Sequence, residues 1–427
     1  MEVSNTFLES VLAFNKGNKY LDKKDGEKAA SFYKKSIKLA PSKEGYLNLG
    51  NAYKMLARDK EAMECYKQSL SKNVPFQGSV KFQDGYDLGY SNLGLMYYVH
   101  GKDDEAIAMY EKALKLNPNH NDSVWNMACA TLRKACTRES VDLEKAWLMY
   151  DFRFQRAKPT PLDRSLNVFW NGVYDADSIC VLAEQGFGDK LMFGRYLKDL
   201  KKHFKRIVVQ CPPEMDEIFS DYEICRVAKD SGCDVAFPIC SLASIFGIND
   251  CGDWLRGKFE GVSRNPHELH IAVEWQGSST HANDAFRSVP AGYFEKLRMP
   301  GVKFYNLNPK SDRKLKNCEY IDVKSWGDSA RALASMDLVI SIDTSIVHLA
   351  GSVGIETWMM QPLKETDFRW GRDSMGMENV WYKNVKVFRN PNSWETVFKN
   401  IRSELEKRKL DIISQKVVKC LMSQEQV

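Results

Sequence analysis

The side chains best placed for chemistry lie where one apolar run ends. Met336-Asp337-Leu338-Val339-Ile340-Ser341-Ile342 is dominated by branched residues and stops at Asp343-Thr344-Ser345, just before His348-Leu349-Ala350-Gly351. The pattern predicts a buried strand that feeds a helix N-terminus. Such a terminus leaves backbone N–H groups unpaired and carries the positive end of the helix dipole, which makes it an anion site. With the hydroxyls of Thr344 and Ser345 and the imidazole of His348 beside it, a phosphorylated ligand is expected there.

Three further segments follow apolar runs. Gln185-Gly186-Phe187-Gly188-Asp189-Lys190 comes after residues 178–183. Its glycines allow a tight turn and a close approach of backbone to a ligand. Asp189 stands at a helix start, either as a reactive carboxylate or as an N-cap. Trp275-Gln276-Gly277 opens a long polar loop carrying His281 and Arg287. A guanidinium there can neutralise a diphosphate; the alternative is an ordinary surface loop. Asp367-Phe368-Arg369-Trp370-Gly371-Arg372 sets two guanidiniums beside aromatics, as a substrate wall or as an aromatic-capped turn. The chain has no GxxxxGK[ST] phosphate loop and no GxSxG elbow. Neither Asp175-Ala176-Asp177 nor the pair His267 and His270 has the surroundings of a metal site, so no metal ligands are assigned.

These residues need sheets behind them. Residues 178–183, 207–211 and 235–237 read as strands, followed by 269–275, 303–307, the run ending at Asp343, and 356–360. Helical patterns separate them, which predicts parallel sheets with crossover helices in two doubly wound, Rossmann-like halves. A ligand cleft is expected at the carboxyl ends of the strands. A last helix is expected over 393–408, with Val397, Ile401 and Leu405 on its apolar face.

The first 155 residues follow another rule. Gly17…Tyr20…Ala29…Tyr33, Gly50…Tyr53…Ala62…Tyr66 and Gly94…Tyr97…Ala106…Tyr110 repeat one pattern in phase, 33 and then 44 residues apart. Small residues facing large ones predict paired helices stacked as an all-α solenoid, with a degenerate fourth unit over 125–153. The expected organisation is therefore a repeat domain over 1–155, α/β halves over 160–265 and 266–402, and a C-terminal helix or tail over 403–427. The face of such an array binds extended peptide or a neighbouring subunit.

Composition narrows the classes. The chain has 427 residues, 44% of them hydrophobic, and a net charge of +5, so it is globular and nucleic acid is a permitted rather than a required partner. Eleven cysteines without CxxC spacing read as reduced thiols. Residues 1–14 carry no basic leader pattern and no stretch approaches 18 apolar residues, so a cytoplasmic protein without a membrane span is expected.

The repeated pattern resembles the tetratricopeptide repeat. The rest resembles the catalytic region of bacterial and phage repeat-bearing glycosyltransferases similar to the ADP-heptose:lipopolysaccharide heptosyltransferase family. It is more distantly similar to O-linked N-acetylglucosamine transferases. The residues that carry this are Glu184 to Asp189 with Arg195-Tyr196-Leu197, Trp275-Gln276-Gly277 with His281 to Asp284 and Arg287 to Pro290, Asp337 to Thr344 with His348 to Gly351, and Phe368-Arg369-Trp370 with Trp381-Tyr382.

The resemblance implies a GT-B fold and inverting sugar transfer from a nucleotide-sugar, with no cofactor and no obligatory metal. The family's general base falls on Asp189. Its diphosphate site falls on Asp343, Thr344, Ser345, His348 and Leu349, with Arg287 and Gly277 from the preceding loop. Gln185, Gly186, Gly188, His281, Arg369 and Trp370 are expected to line the substrate cleft. Ser345 stands where heptosyltransferases often have Gly, and Phe368 where related chains often have Trp, which bears on the donor sugar. Three acceptor classes remain open: a protein held by the repeats, an envelope glycan, and a modified base in DNA. A scaffold without turnover is the alternative of another class.

Overall fold

The computed structural model describes residues 5–71, 73–75, 86–136, 142–166, 168–173, 175–248, 252–278, 284–308, 315–362, 367–371, 379–390 and 393–424. Two compact units divide the chain: Met1–Thr131 with Gln155–Ala157, and Leu132–Phe154 with Lys158–Val427. The division falls after Thr131, inside the helix Asn121–Cys136, whereas the expected repeat domain runs to 155.

The first unit is built from helix pairs: α1 Asn5–Asp22 with α2 Gly26–Leu39, α3 Lys43–Met55 with α4 Asp59–Ser69, and α5 Asp87–Val99 with α6 Asp103–Leu116. Helix α7, Asn121–Cys136, follows. Side-chain caps start α2 and α3: Asp25 accepts from Lys28 N and Ser42 from Gly45 N, each closing an otherwise open N–H. The in-phase glycines explain the pairing. A Cβ at Gly17, Gly50 or Gly94 would lie 2.6, 2.5 or 2.8 Å from the ring of Tyr33, Tyr66 or Tyr110. Each tyrosine is fully buried against the helix it faces.

The second unit begins with α8, Leu143–Tyr150, and a 3-10 turn over Asp151–Phe154. A four-stranded sheet follows, made of β1 Ser178–Leu182, β2 Arg206–Gln210, β3 Glu223–Cys225 and β4 Val235–Pro238 in the order β3-β2-β1-β4. Short helices α9 Phe187–Phe193, α10 Leu197–Leu200 and α11 Leu242–Phe246 connect it. The six-stranded sheet has the order β10-β9-β8-β5-β6-β7. Its strands are β5 Leu269–Glu274, β6 Val302–Asn306, β7 Cys318–Tyr320, β8 Leu338–Ile342, β9 Thr357–Pro362 and β10 Val385–Asn390. Helices α12 Asp284–Arg287, α13 Trp326–Ala334, α14 Ser345–Val353 and α15 Trp394–Gln424 complete it.

Every named strand pairing is parallel. β1 and β8 are buried along their whole length, as parallel strands covered on both faces are. The core of the second sheet joins Leu269, Ile271, Leu338, Ile340, Trp358 and Met360 to Val397, Ile401 and Leu405 of α15. In both sheets the first strand has neighbours on both sides, so each reverses direction beside it: between β1 and β4, and between β5 and β8.

Three expectations change. The helix that starts beside Asp189 ends at Phe193 and gives way to a 3-10 turn at Gly194, where a Cβ would sit 2.5 Å from Trp254. The 403–427 tail is not separate, since α15 runs unbroken to Gln424. Strands β3, β7 and β10 were not foreseen. The first two are three-residue edge strands with a charge inside, too short to show a period.

Candidate functional site

Residues after β1 and β5, the two reversal points, face residues after β8 and β9. Leaving β1, Glu184 is buried and accepts from Arg153 Nη2 at 2.6 Å. Gln185 then takes a left-handed backbone, φ 67°. Two bonds hold it there: its Nε2 donates to Tyr150 Oη at 3.1 Å, and its carbonyl accepts from Lys190 Nζ at 2.6 Å. This backbone is costly for a non-glycine residue and is kept only where surroundings enforce it. Gly186 N donates to Asp189 Oδ2 at 3.0 Å, so Asp189 does cap its own helix. Its other oxygen, Oδ1, accepts from Arg369 Nη2, which comes from the other sheet.

The second wall is the loop after β8 with the turn after β9. A Cβ on Gly188 would lie 2.8 Å from His348 Cδ2, so only glycine lets the two walls meet there. The His348 ring packs on Trp370, 5.1 Å between centroids, and its Nδ1 is 3.2 Å from Tyr382 Oη. Burial, reinforced by Arg369, pushes its pKa down to about 3. The imidazole is therefore neutral. Trp370 Nε1 donates to Asp343 Oδ1 at 2.9 Å. Burial raises Asp343 to about 6, helped by the Asp367 charge. Burial alone would raise Asp367 too, but Arg369 holds it below the usual carboxylate range.

Thr344 has extended backbone at the start of α14, and its carbonyl accepts from Val347 N at 3.0 Å. Ser345 opens the helix half-buried, whereas Leu349 is fully buried and packs the helix down. Arg287 Nη1 donates to the Asp343 carbonyl at 2.9 Å and its Nε to Asp284 Oδ1 at 3.2 Å. Gly277 lies under that pair: a Cβ would fall 2.2 Å from Asp284 Oδ1. His281 lies outside the described residues.

The fold thus links Gln185, Gly186, Gly188, Asp189, Arg369, Trp370, His348, Asp343, Arg287 and Gly277 through successive contacts. Among the described residues no group of three or more His, Cys, Asp or Glu side chains is arranged to hold a metal ion. Sequence reasoning missed Tyr150, Arg153 and Glu274. The first two look like repeat-helix residues. The third is a lone carboxylate ending an apolar strand; burial pushes it up to about 7 although Gln276 N donates to it at 2.9 Å.

The first unit has its own polar row. Tyr33 Oη donates to Asn18 Oδ1 at 2.7 Å, and Asn48 Nδ2 to the same oxygen at 3.1 Å. One repeat on, Asn51 Oδ1 accepts from Tyr66 Oη at 2.9 Å and from Asn92 Nδ2 at 3.2 Å. These amides lie on α1, α3 and α5, and Asn-x-Gly-Asn at 15–18 and 48–51 is the sequence signal for them.

Residues 12–43, 44–71 and 88–120 each match the tetratricopeptide repeat family. No curated protein matches the chain. Among solved structures it is similar to MamA, at 23% identity and a TM-score of 0.28, covering 34% of this chain and 75% of that one. The first TPR of Spaghetti (RPAP3), bound to the HSP90 peptide SRMEEVD, is 22% identical with a TM-score of 0.27, over 30% and 94% of the two chains. The Arabidopsis OM64 TPR domain is 22% identical with a TM-score of 0.27, over 31% and 99%. The N-terminal region is thus a run of tetratricopeptide repeats, which suggests a protein-interaction module, followed by an α/β region of parallel sheets. No helix among the described residues is long and apolar enough to cross a membrane.

Proposed function

We propose that the α/β region is a GT-B glycosyltransferase that moves a sugar, with inversion, from a nucleotide-sugar to an acceptor chosen partly by the repeats. One observation carries this reading. Asp189, following the first strand of one sheet, stands against Arg369 of the other, and its chain neighbour Gly188 stands against His348. A carboxylate in such a cleft can take the proton of an acceptor hydroxyl while the nucleotide diphosphate departs toward the opposite wall. There the open N–H groups of α14, the Thr344 and Ser345 hydroxyls and the Arg287 guanidinium would meet the charge of the leaving group. His348, being neutral, would contribute a hydrogen bond and not a charge.

The acceptor favoured by the polar row of α1, α3 and α5 is a polypeptide, because side-chain amides offer both a donor and an acceptor to a peptide backbone. Mass spectrometry of donor turnover across UDP-, GDP-, ADP- and CMP-sugars tests the reaction, with EDTA expected to leave it intact. Absence of turnover with every donor would leave the scaffold reading. Transfer to polypeptide should tolerate salt, whereas a DNA acceptor would give a steep fall as counterions compete.

A further inference from the structure

The turn Asp367-Phe368-Arg369 carries a guanidinium out of one sheet's loop to a carboxylate of the other. Its direction is fixed locally before it reaches that target. Arg369 Nη1 donates to both oxygens of Asp367, each at 2.9 Å, and Arg369 N donates to Asp367 Oδ1 at 2.9 Å. Asn379 Nδ2 donates to the Arg369 carbonyl at 3.2 Å, and the guanidinium lies 4.4 Å from the Phe368 ring centre. Arg369 is 7% exposed. Another nitrogen of the planar fork, Nη2, ends on Asp189 Oδ1.

We propose that Arg369 is the positioning residue of this cleft: seated on Asp367, it aims the Asp189 carboxylate at the acceptor. The inference rests on the glycosyl-transfer reading above. A carboxylate has about four acceptor sites. Gly186 N and Arg369 occupy one on each oxygen, which fixes the group in two directions and, among the described residues, leaves other lone pairs open. One of these takes the acceptor proton as the acceptor oxygen bonds to the sugar carbon and the bond to the nucleotide diphosphate breaks. Lysine, a point charge without a fork, cannot span both carboxylates in this geometry.

The experiment compares wild type, Arg369→Ala and Arg369→Lys by hydrogen–deuterium exchange and by steady-state kinetics. Exchange over residues 185–190 should accelerate in both variants while the β8 amides stay unchanged. Misplacing the base should lower kcat about 10²-fold with donor KM held within about threefold. Millimolar guanidinium chloride, but not urea, should restore about tenfold of the lost rate to Arg369→Ala, since it refills the same fork. If the alanine variant fails to fold, Arg369→Lys carries the exchange and the kinetics. Unchanged exchange at 185–190 with an active wild type overturns the inference alone, as does a raised KM with kcat preserved. A wild type that turns over no donor sinks the glycosyl-transfer reading, and the aiming of a base with it.

Discussion

Asp189 is engaged on both oxygens, so its capping and its proposed role as base can be separated by one substitution. Asp189→Asn keeps an acceptor for Gly186 N and removes the proton acceptor. Turnover should fall about 10²-fold or more, with nucleotide diphosphate affinity by calorimetry nearly unchanged; turnover close to wild type would dismiss the role. Glu274 makes a second prediction at this scale. Its folded-state pKa of about 7 lies above the ordinary 4.5. Between those values the native chain holds more protons than the unfolded one, so stability falls as pH rises through this window and is flat above it. Glu274→Gln removes that dependence. The variant should match wild type near pH 5 and exceed it at pH 8, by up to roughly 3 kcal/mol in urea unfolding. Equal pH slopes for the two proteins would contradict this. Single residues were legible in the sequence when their neighbours announced a strand end, as Asp343 and Asp189 did. The pairing of Arg369 with Asp189, 180 residues apart, was not, because nothing local records it.

At the level of elements, the glycines of the repeats fix how closely helices pair. An alanine in place of a helical glycine ordinarily stabilises by up to about 1 kcal/mol. At Gly50 the new methyl would meet the Tyr66 ring at 2.5 Å, and that ring is held by its bond to Asn51. Overpacking of this kind costs about 1–3 kcal/mol, so Gly50→Ala should lower thermal stability. Gly292→Ala, with nothing near its Cβ, should be neutral or slightly stabilising. Only the Gly50 variant should therefore melt below wild type. The same Gly–Tyr spacing is what made the repeats readable without a structure, since steric need recurs in phase. The long interior strands were readable too, β8 most of all, because burial on both faces demands unbroken apolar residues. Helix α8 reads as part of the array for a related reason: Ala146, Trp147 and Tyr150 show the small-and-aromatic pattern of a repeat helix, while the helix falls in the second unit and Trp147 packs beside Phe193, Phe368 and Trp381.

Across the whole molecule, the boundary after Thr131 decides where the chain can be cut. A chain starting at Leu132 keeps Trp147, Tyr150 and Arg153, each 1% exposed, and should give a cooperative thermal transition. One starting at Thr160 leaves Glu184 buried without Arg153, and unpairing a buried ion costs about 3–5 kcal/mol. It should melt far lower or fail to fold; equal melting of the two would refute the boundary. The asparagine row carries a different consequence. Each of the first two repeats supplies its own tyrosine and asparagine and takes one amide from the next, so the row has no intrinsic end. Copying a 33-residue unit, the distance from Gly17 to Gly50, would lengthen it by one rung without redesigning its neighbours. The row stops where Leu95 stands at the place of Asn18 and Asn51. The length of the row is then set by duplication and by one residue, so descendants of this chain could extend this face while leaving the α/β region untouched.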